Sequence, residues 1–204
     1  MSGTLYIVAA ASGTGKTSLT RALLEREPNI ALSISYTSRP PRPDEVDGVH
    51  YHFVSRAQFE AMIARDEFFE HALVHGDLKG TARAPVERTL AQGRDVLLEI
   101  DWQGAQQVRK KLAGTVSIFI LPPSRRELER RLRTRASDSE KVIRRRLNDS
   151  QQDLAHAREF DYLVVNDDFN VALAQLCAIV ESRRQQRVYP APDHDALLVE
   201  LLGD

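Results

Sequence analysis

The chain has 204 residues, 42% hydrophobic and 28% charged, which suits one well-packed core with excursions or two small domains. Its 28 Lys and Arg stand against 29 Asp and Glu, a formal net charge of −1, which argues against a duplex-DNA binder held by a whole-surface field. Cys177 is the only cysteine, so no intramolecular disulfide can form, and no apolar run approaches the roughly 18 residues of a membrane span. The N-terminus lacks a signal-peptide layout and the six histidines lack metal-ligand spacing, so a cytoplasmic protein without a Cys/His metal site is expected.

The apolar run Leu5–Ala9 reads as a buried strand, and a helical pattern begins at Ser18 and runs to about Arg26. Between them lies Ala10-Ala11-Ser12-Gly13-Thr14-Gly15-Lys16-Thr17. A strand feeding such a loop, with a helix N-terminus behind it, turns backbone N–H groups and the positive end of the helix toward an anion. Lys16 is placed to reach the β- and γ-phosphates of a nucleotide, and the Thr17 hydroxyl to ligand Mg²⁺. Ala10 stands where the G-x-x-x-x-G-K-[ST] pattern has its first glycine. The competing reading is an ordinary Gly/Ser-rich turn with a solvated lysine.

Ile30–Tyr36 alternates as a strand, and Thr37–Val49 is turn-rich. Tyr51–Val54 reads as a strand, Ser55 with Gln58 as a capping box for a helix through about Ala64, Phe68–Val74 as a strand and His75–Thr81 as a loop. Pro85 suits the first position of the next helix. Val96–Ile100 and Ile118–Leu121 are further strands, and Ser124 with Glu127 and Ser137 with Glu140 cap two arginine-rich helices within Arg125–Leu154. Tyr162–Val165 is the last strand, and two amphipathic helices follow it. The strands near Leu5–Ala9, Ile30–Ser35, Val96–Ile100, Ile118–Leu121 and Tyr162–Val165 are apolar enough for burial on both faces, as in an α/β protein with a central parallel sheet flanked by helices. The rhythm breaks from about Tyr36 to Gly93, which reads as an inserted subdomain.

Arg39 and Arg42 lie three residues apart in the proline-stiffened stretch Thr37-Ser38-Arg39-Pro40-Pro41-Arg42-Pro43. Two planar, permanently charged guanidiniums held this way suit a monophosphate. At this point the chain resembles the guanylate kinases nearly end to end. The resemblance rests on Ser12–Thr17, Thr37–Pro43, Tyr51-His52-Phe53-Val54, Phe69-Glu70-His71-Ala72, Glu99-Ile100-Asp101-Trp102-Gln103-Gly104-Ala105, Ile118–Ser124 and Val165-Asn166-Asp167-Asp168.

The resemblance implies a P-loop NTPase fold in three parts: a core ATP-binding domain (1–35, 94–124 and 155–204), a GMP-binding subdomain (36–93) and a helical lid (125–154). It implies transfer of a phosphoryl group from ATP to GMP or dGMP with Mg²⁺, in purine nucleotide metabolism and GMP recycling. Residues Ala10–Thr17 (Ala10, Ala11, Ser12, Gly13, Thr14, Gly15, Lys16, Thr17), with Asn166 and Asp168, match the ATP site. Arg39, Arg42 and Tyr51 match the positions that hold the GMP phosphate, and Ser35, Glu70, Thr81 and Asp101 those that read guanine. Guanine offers N1–H and N2–H₂ to a carboxylate such as Glu70, while its O6 needs a donor such as the Thr81 hydroxyl; AMP would leave these groups unpaired. Two roles stay open for Asp101, base reading and anchoring Mg²⁺ beside Thr17. Lys16, Arg39, Arg131, Arg135 and Arg146 match the catalytic cations. Arg144 and Arg145 point elsewhere, at roughly 100° per helical residue.

The chain departs from the family pattern in three places. Leu78 and Lys79 replace two tyrosines, the second of which contacts the GMP phosphate, so Lys79 is a candidate for that role; Thr81 replaces a common serine, and Ala10 a glycine. The expected partners are small molecules, with neither nucleic acid nor membrane, and a homo-oligomer is left open. Two rivals stand: a non-enzymatic module that binds phosphorylated partners, against which the intact phosphate loop argues, and a kinase for another nucleoside monophosphate.

Overall fold

The computed structural model describes residues 2–74, 76–134 and 140–203. In chain order the elements are β1 (Leu5–Ala10), α1 (Lys16–Arg26), β2 (Ile30–Leu32), β3 (Tyr36–Thr37), β4 (His52–Phe53), α2 (Arg56–Ala64), β5 (Phe68–Val74), β6 (Asp77–Ala82) and α3 (Arg83–Ala91). They continue as β7 (Asp95–Glu99), α4 (Trp102–Lys111), β8 (Val116–Leu121), α5 (Arg125–Thr134), α6 (Glu140–Ala155), a 3₁₀ turn at Ala157–Glu159, β9 (Tyr162–Val165), α7 (Phe169–Arg184) and α8 (Asp195–Leu202). The chain divides into two units, Met1–Ile7 with Asn29–Val116 and Val8–Pro28 with Ser117–Asp204, so β1 contributes residues to both.

In the first unit β2 pairs parallel with β7, Ile30 opposite Asp95 and Leu32 opposite Leu97, and β7 neighbours β1. A second, four-stranded sheet has the order β4-β3-β6-β5. The strand expected over Ile30–Tyr36 is therefore two strands in two sheets. Ile30 is buried but Leu32, on the same face at the far end of this edge strand, is 42% exposed. The loop expected over His75–Thr81 is also overturned: Asp77–Ala82 forms β6, antiparallel to both β5 and β3. His75 itself lies outside the described residues. A Cβ on Gly80 would come within 2.7 Å of the Glu70 carbonyl oxygen, so this glycine serves close packing inside a strand.

The second sheet has its own core of Phe59, Phe68, Leu78 and Ala82, with Phe59 and Phe68 stacked at 4.4 Å. Ser55 caps α2 with both halves of the expected box. Pro85 sits at the third position of α3, not the first. Helix α4, unassigned from sequence, is capped by Asp101, whose carboxylate accepts from the Gly104 N–H.

In the second unit β8 neighbours β1 and pairs parallel with β9, Ile118 opposite Tyr162 and Leu121 opposite Val165. All six residues of β8 are buried, the pattern of a parallel strand covered on both faces. Helix α1 begins at Lys16, two residues before the expected start. Ser124 Oγ accepts from the Glu127 N–H, but the Glu127 carboxylate turns to Arg130 and Arg131 instead of completing the box. The box expected of Ser137 with Glu140 falls at Ser137 outside the described residues.

Candidate active site

In the second unit β1 ends at Ala10, whose backbone is still extended strand, so alanine is accommodated where the motif has glycine. Gly13 and Gly15 are different, with φ of 89° and 93°. A Cβ on Gly13 would meet Leu132 Cδ2 at 2.9 Å, and one on Gly15 would meet Asn166 Nδ2 at 2.5 Å. Both positions exclude side chains by backbone conformation and by space. The buried Thr14 closes the turn, its hydroxyl donating to the Ala11 carbonyl at 2.9 Å. Gly15 then caps α1 without a side-chain bond to the first-turn N–H groups, the arrangement by which a helix N-terminus receives an anion.

Asn166, the residue after β9, braces this loop. Its Nδ2 donates to the Thr14 carbonyl at 2.7 Å, while its own carbonyl accepts from Arg131 Nη1 at 3.0 Å. Arg131 Nε also donates to Glu127 at 2.7 Å, and Arg130 with Arg131 holds the Glu127 carboxyl down to about 2. Lys16 is half-buried on the first turn of α1, and Thr17 and Ser18 are exposed. A cleft of about 370 Å³ opens over Gly13, Gly15 and Ser18, bounded by Arg130, Arg131, Asn166 and Phe169. Asp168 caps α7, accepting from the Asn170 and Val171 N–H groups. On α6, Arg146 is half-buried whereas Arg144 and Arg145 are exposed. Arg135 lies outside the described residues.

The remaining site residues fall in the first unit. Glu70 on β5 and Thr81 on β6 are paired in register, 7% and 1% exposed, and the Thr81 hydroxyl donates to Glu70 Oε1 at 2.6 Å. That hydroxyl was expected to face a purine O6; the structure turns it to Glu70. Burial pushes the Glu70 carboxyl up to about 7, helped by the negative charge of Asp101 and opposed by the bond from Thr81. Gly104 faces Glu70 so closely that a Cβ would sit 3.2 Å from Oε2. The pair presents a dry carboxylate, suited to two adjacent N–H donors on a planar ligand.

Arg39 is held in place. Its Nη2 donates to Glu45 Oε1 at 2.8 Å and its Nη1 to the Pro40 carbonyl at 2.8 Å, while the other Glu45 oxygen accepts from the Arg42 backbone N–H at 2.8 Å. These bonds hold the Glu45 carboxyl down to about 2. Arg39 and Lys79 both lie over the Tyr51 ring, at 5.7 and 5.4 Å from its centre. Two cations and a phenol are thus assembled beside the exposed Arg42, a constellation suited to a phosphate monoester. Ser35 lies in the connection between β2 and β3, half-buried.

Two contributors were missed from sequence: Glu45, three residues beyond Arg42 and six beyond Arg39, and the bracing role of Asn166. An acidic residue at that spacing in a basic loop was a usable signal for the first. The second bond spans 152 residues and leaves no local trace. Among the described residues no group of three or more His, Cys, Asp or Glu could hold a metal ion, and no helix is long and apolar enough to cross a membrane.

Comparison with known proteins agrees with these features. The family model described as guanylate kinase matches residues 2–183. A guanylate kinase of Xanthomonas oryzae pv. oryzae (strain MAFF 311018) is 55% identical over 202 residues, covering 99% of this chain and 100% of the relative. One from Xylella fastidiosa (strain Temecula1) is also 55% identical over 202 residues, covering 99% of each chain. The crystal structure of guanylate kinase from Anaplasma phagocytophilum superposes with a TM-score of 0.71 at 32% identity, over 89% of this chain and 86% of that one. With matches of this extent to a chain that carries both a phosphate loop and a buried carboxylate–hydroxyl pair, the protein belongs to the guanylate kinase family.

Proposed function

We propose that the chain transfers the γ-phosphoryl group of ATP to GMP, and to dGMP, giving ADP and GDP or dGDP. The observation that carries the acceptor identity is the buried Glu70–Thr81 pair, because a desolvated carboxylate selects a base edge with two adjacent donors and penalises one without them. The attacking oxygen belongs to a phosphate already ionised near neutral pH, so no general base is needed; catalysis is alignment and charge stabilisation. Lys16 and the loop amides hold the ATP phosphates. Arg39, Arg42, Tyr51 and Lys79 hold the GMP phosphate, Ser35 and Asp101 assist in reading the base, and Arg131, Arg135 and Arg146 supply positive charge to the transferring group. Asn166 and Asp168 border the adenine end.

Hydroxyl and carboxylate oxygens are the hard donors Mg²⁺ prefers, and the exposed Thr17 of the second unit and Asp101 of the first are each candidates to supply one. When bound, Mg²⁺ neutralises charge on the β- and γ-phosphates. On this reading 36–93 is the GMP-binding part, 125–154 the lid and the remainder the ATP-binding core, in a cytoplasmic enzyme whose state of assembly is open.

The test is ADP release with Mg·ATP and each of GMP, dGMP, AMP, UMP or no acceptor. Turnover confined to GMP and dGMP is expected. Equal turnover of AMP would overturn the base assignment, and none with any acceptor would leave a binding module.

A further inference from the structure

Strand β5 lies at the edge of its sheet, and its ladder with β6 carries an irregularity next to the residue that matters most. Phe68 pairs with Ala82, but the next pair is Glu70 with Thr81, so Phe69 is an extra residue and the strand is bulged there. A bulge re-aims the side chains beside it, and here Phe68, Phe69 and Glu70 are buried in succession instead of alternating. The open side of this edge strand leaves backbone N–H and C=O groups to be paired or covered.

Helix α4 supplies the partners. Gln107 Oε1 accepts from the His71 N–H at 3.1 Å, and Gln107 Nε2 donates to the His71 carbonyl at 3.2 Å, the two bonds a neighbouring strand would make. One turn further on, Lys111 Nζ donates to the Phe68 carbonyl at 2.7 Å. Gly104, one turn before Gln107, lets the helix approach Glu70 Oε2. Positions 104, 107 and 111 share one helix face, which brackets the bulge from Phe68 to His71 with Glu70 between the two anchors.

We propose that Gln107 is a positioning residue for acceptor selection: its side-chain amide completes the open edge of β5 at His71 and so fixes the bulge that aims Glu70. The inference rests on the reading of Glu70 as the group that accepts from guanine N1–H and N2–H₂. Both polar atoms of the Gln107 amide bond the His71 backbone, so it acts through the strand. Without its paired bonds the backbone at His71 loses two partners and the Glu70 carboxylate loses its fixed depth.

The experiment compares the parent with Gln107→Met, which keeps length and packing but neither bond, and Gln107→Glu, which keeps an acceptor for the His71 N–H but no donor for its carbonyl. GMP and IMP are the acceptors, because IMP lacks the 2-amino group and uses only half of the carboxylate's reach. Gln107→Met should raise the KM for GMP about tenfold, with kcat and the KM for ATP changed less than about twofold, and should lower the GMP-to-IMP ratio of kcat/KM by about threefold or more. Gln107→Glu should move the same quantities in the same direction by less, and it carries the test should Gln107→Met fail to fold. Equal losses for GMP and IMP, an unchanged ratio, or a loss confined to ATP would overturn the proposal. A parent that does not favour GMP over IMP would instead overturn the reading of Glu70 itself.

Discussion

The phosphate loop of the second unit and the bulged sheet of the first are built from different materials. Around the loop the decisive atoms are backbone: glycines at positive φ, an α-helix start without a capping side chain, and a carbonyl braced by Asn166. Around the sheet they are side chains, Glu70 and Thr81 in the interior and Arg39 on Glu45. On the proposed function, the difference follows from what each must distinguish. A polyphosphate is the same in every nucleoside triphosphate, and amides with a cation suffice for it. A purine is told from its analogue by a pattern of donors and acceptors, which counts most in a dry site whose groups are costly to leave unpaired.

The largest effect should come from breaking the loop side. Lys16→Ala is expected to lower kcat by at least about 10²–10³-fold, the scale for losing a fixed charge-stabilising donor, while calorimetric GMP affinity stays at the parent value. A parallel fall in GMP affinity would mean that the two regions do not divide the labour this way.

Next is Glu70→Gln, which replaces an acceptor of two bonds by one that accepts through a single oxygen. It should weaken GMP by about 1–3 kcal/mol and leave the KM for ATP unchanged. The same residue makes stability pH-dependent with a definite sign. Its carboxyl titrates near 7 in the folded chain against an ordinary 4.5, so the folded state keeps a proton that the unfolded chain has released. Its contribution to stability is complete below about 4.5 and is lost as pH rises through about 7. Thermal midpoints measured across that window should fall in the parent and fall less in Glu70→Gln. In the parent kcat/KM for GMP should rise over the same window, because only the ionised group accepts from both donors.

What could be read from the sequence divides along the same line. The loop was legible because its chemistry is consecutive: strand, glycines, Lys16 and helix follow within a dozen residues. The sheet was harder. The stretch His75–Thr81 reads as a loop, because the reason for Gly80 inside β6 is a carbonyl on the neighbouring strand, which the local sequence does not show. The stretch from Ile30 to Tyr36 alternates like one strand, yet it joins two sheets, and periodicity does not reveal which partner a strand takes. Glu70 and Thr81 were nominated separately by family resemblance; their shared register and hydrogen bond depend on a bulge with no local signature.

The comparison sharpens at Asn166, where the loop side does depend on one buried side chain. Asn166→Ala removes the partner of the Thr14 carbonyl and should cost about 1–3 kcal/mol in stability or ATP binding, seen as a raised KM for ATP at unchanged KM for GMP. If both KM values rise together, the brace acts on the whole fold and not on the loop.

The smallest effect concerns the proposed phosphate end of the acceptor site, where the family resemblance leads one to expect a tyrosine at Lys79. Lys79 pairs with Thr37 across β3 and β6, and its ammonium lies 5.4 Å from the centre of the Tyr51 ring that Arg39 also approaches. The tyrosine expected at this position would offer a neutral hydroxyl with fixed reach; lysine offers a mobile full charge, looser in geometry and stronger in field. Lys79→Ala should therefore raise the KM for GMP several-fold, about 1 kcal/mol, with kcat nearly unchanged, since Arg39 and Arg42 remain. Added salt should weaken GMP binding more steeply in the parent than in the variant, because a half-exposed ion pair is screened within about 10 Å at 0.1 M. Lys79→Tyr should recover most of the loss while keeping the shallower salt dependence, which separates the contact from the charge. Equal GMP kinetics for parent and Lys79→Ala at low salt would assign the ammonium to the Tyr51 face alone, and the acceptor phosphate to the two arginines and the phenol.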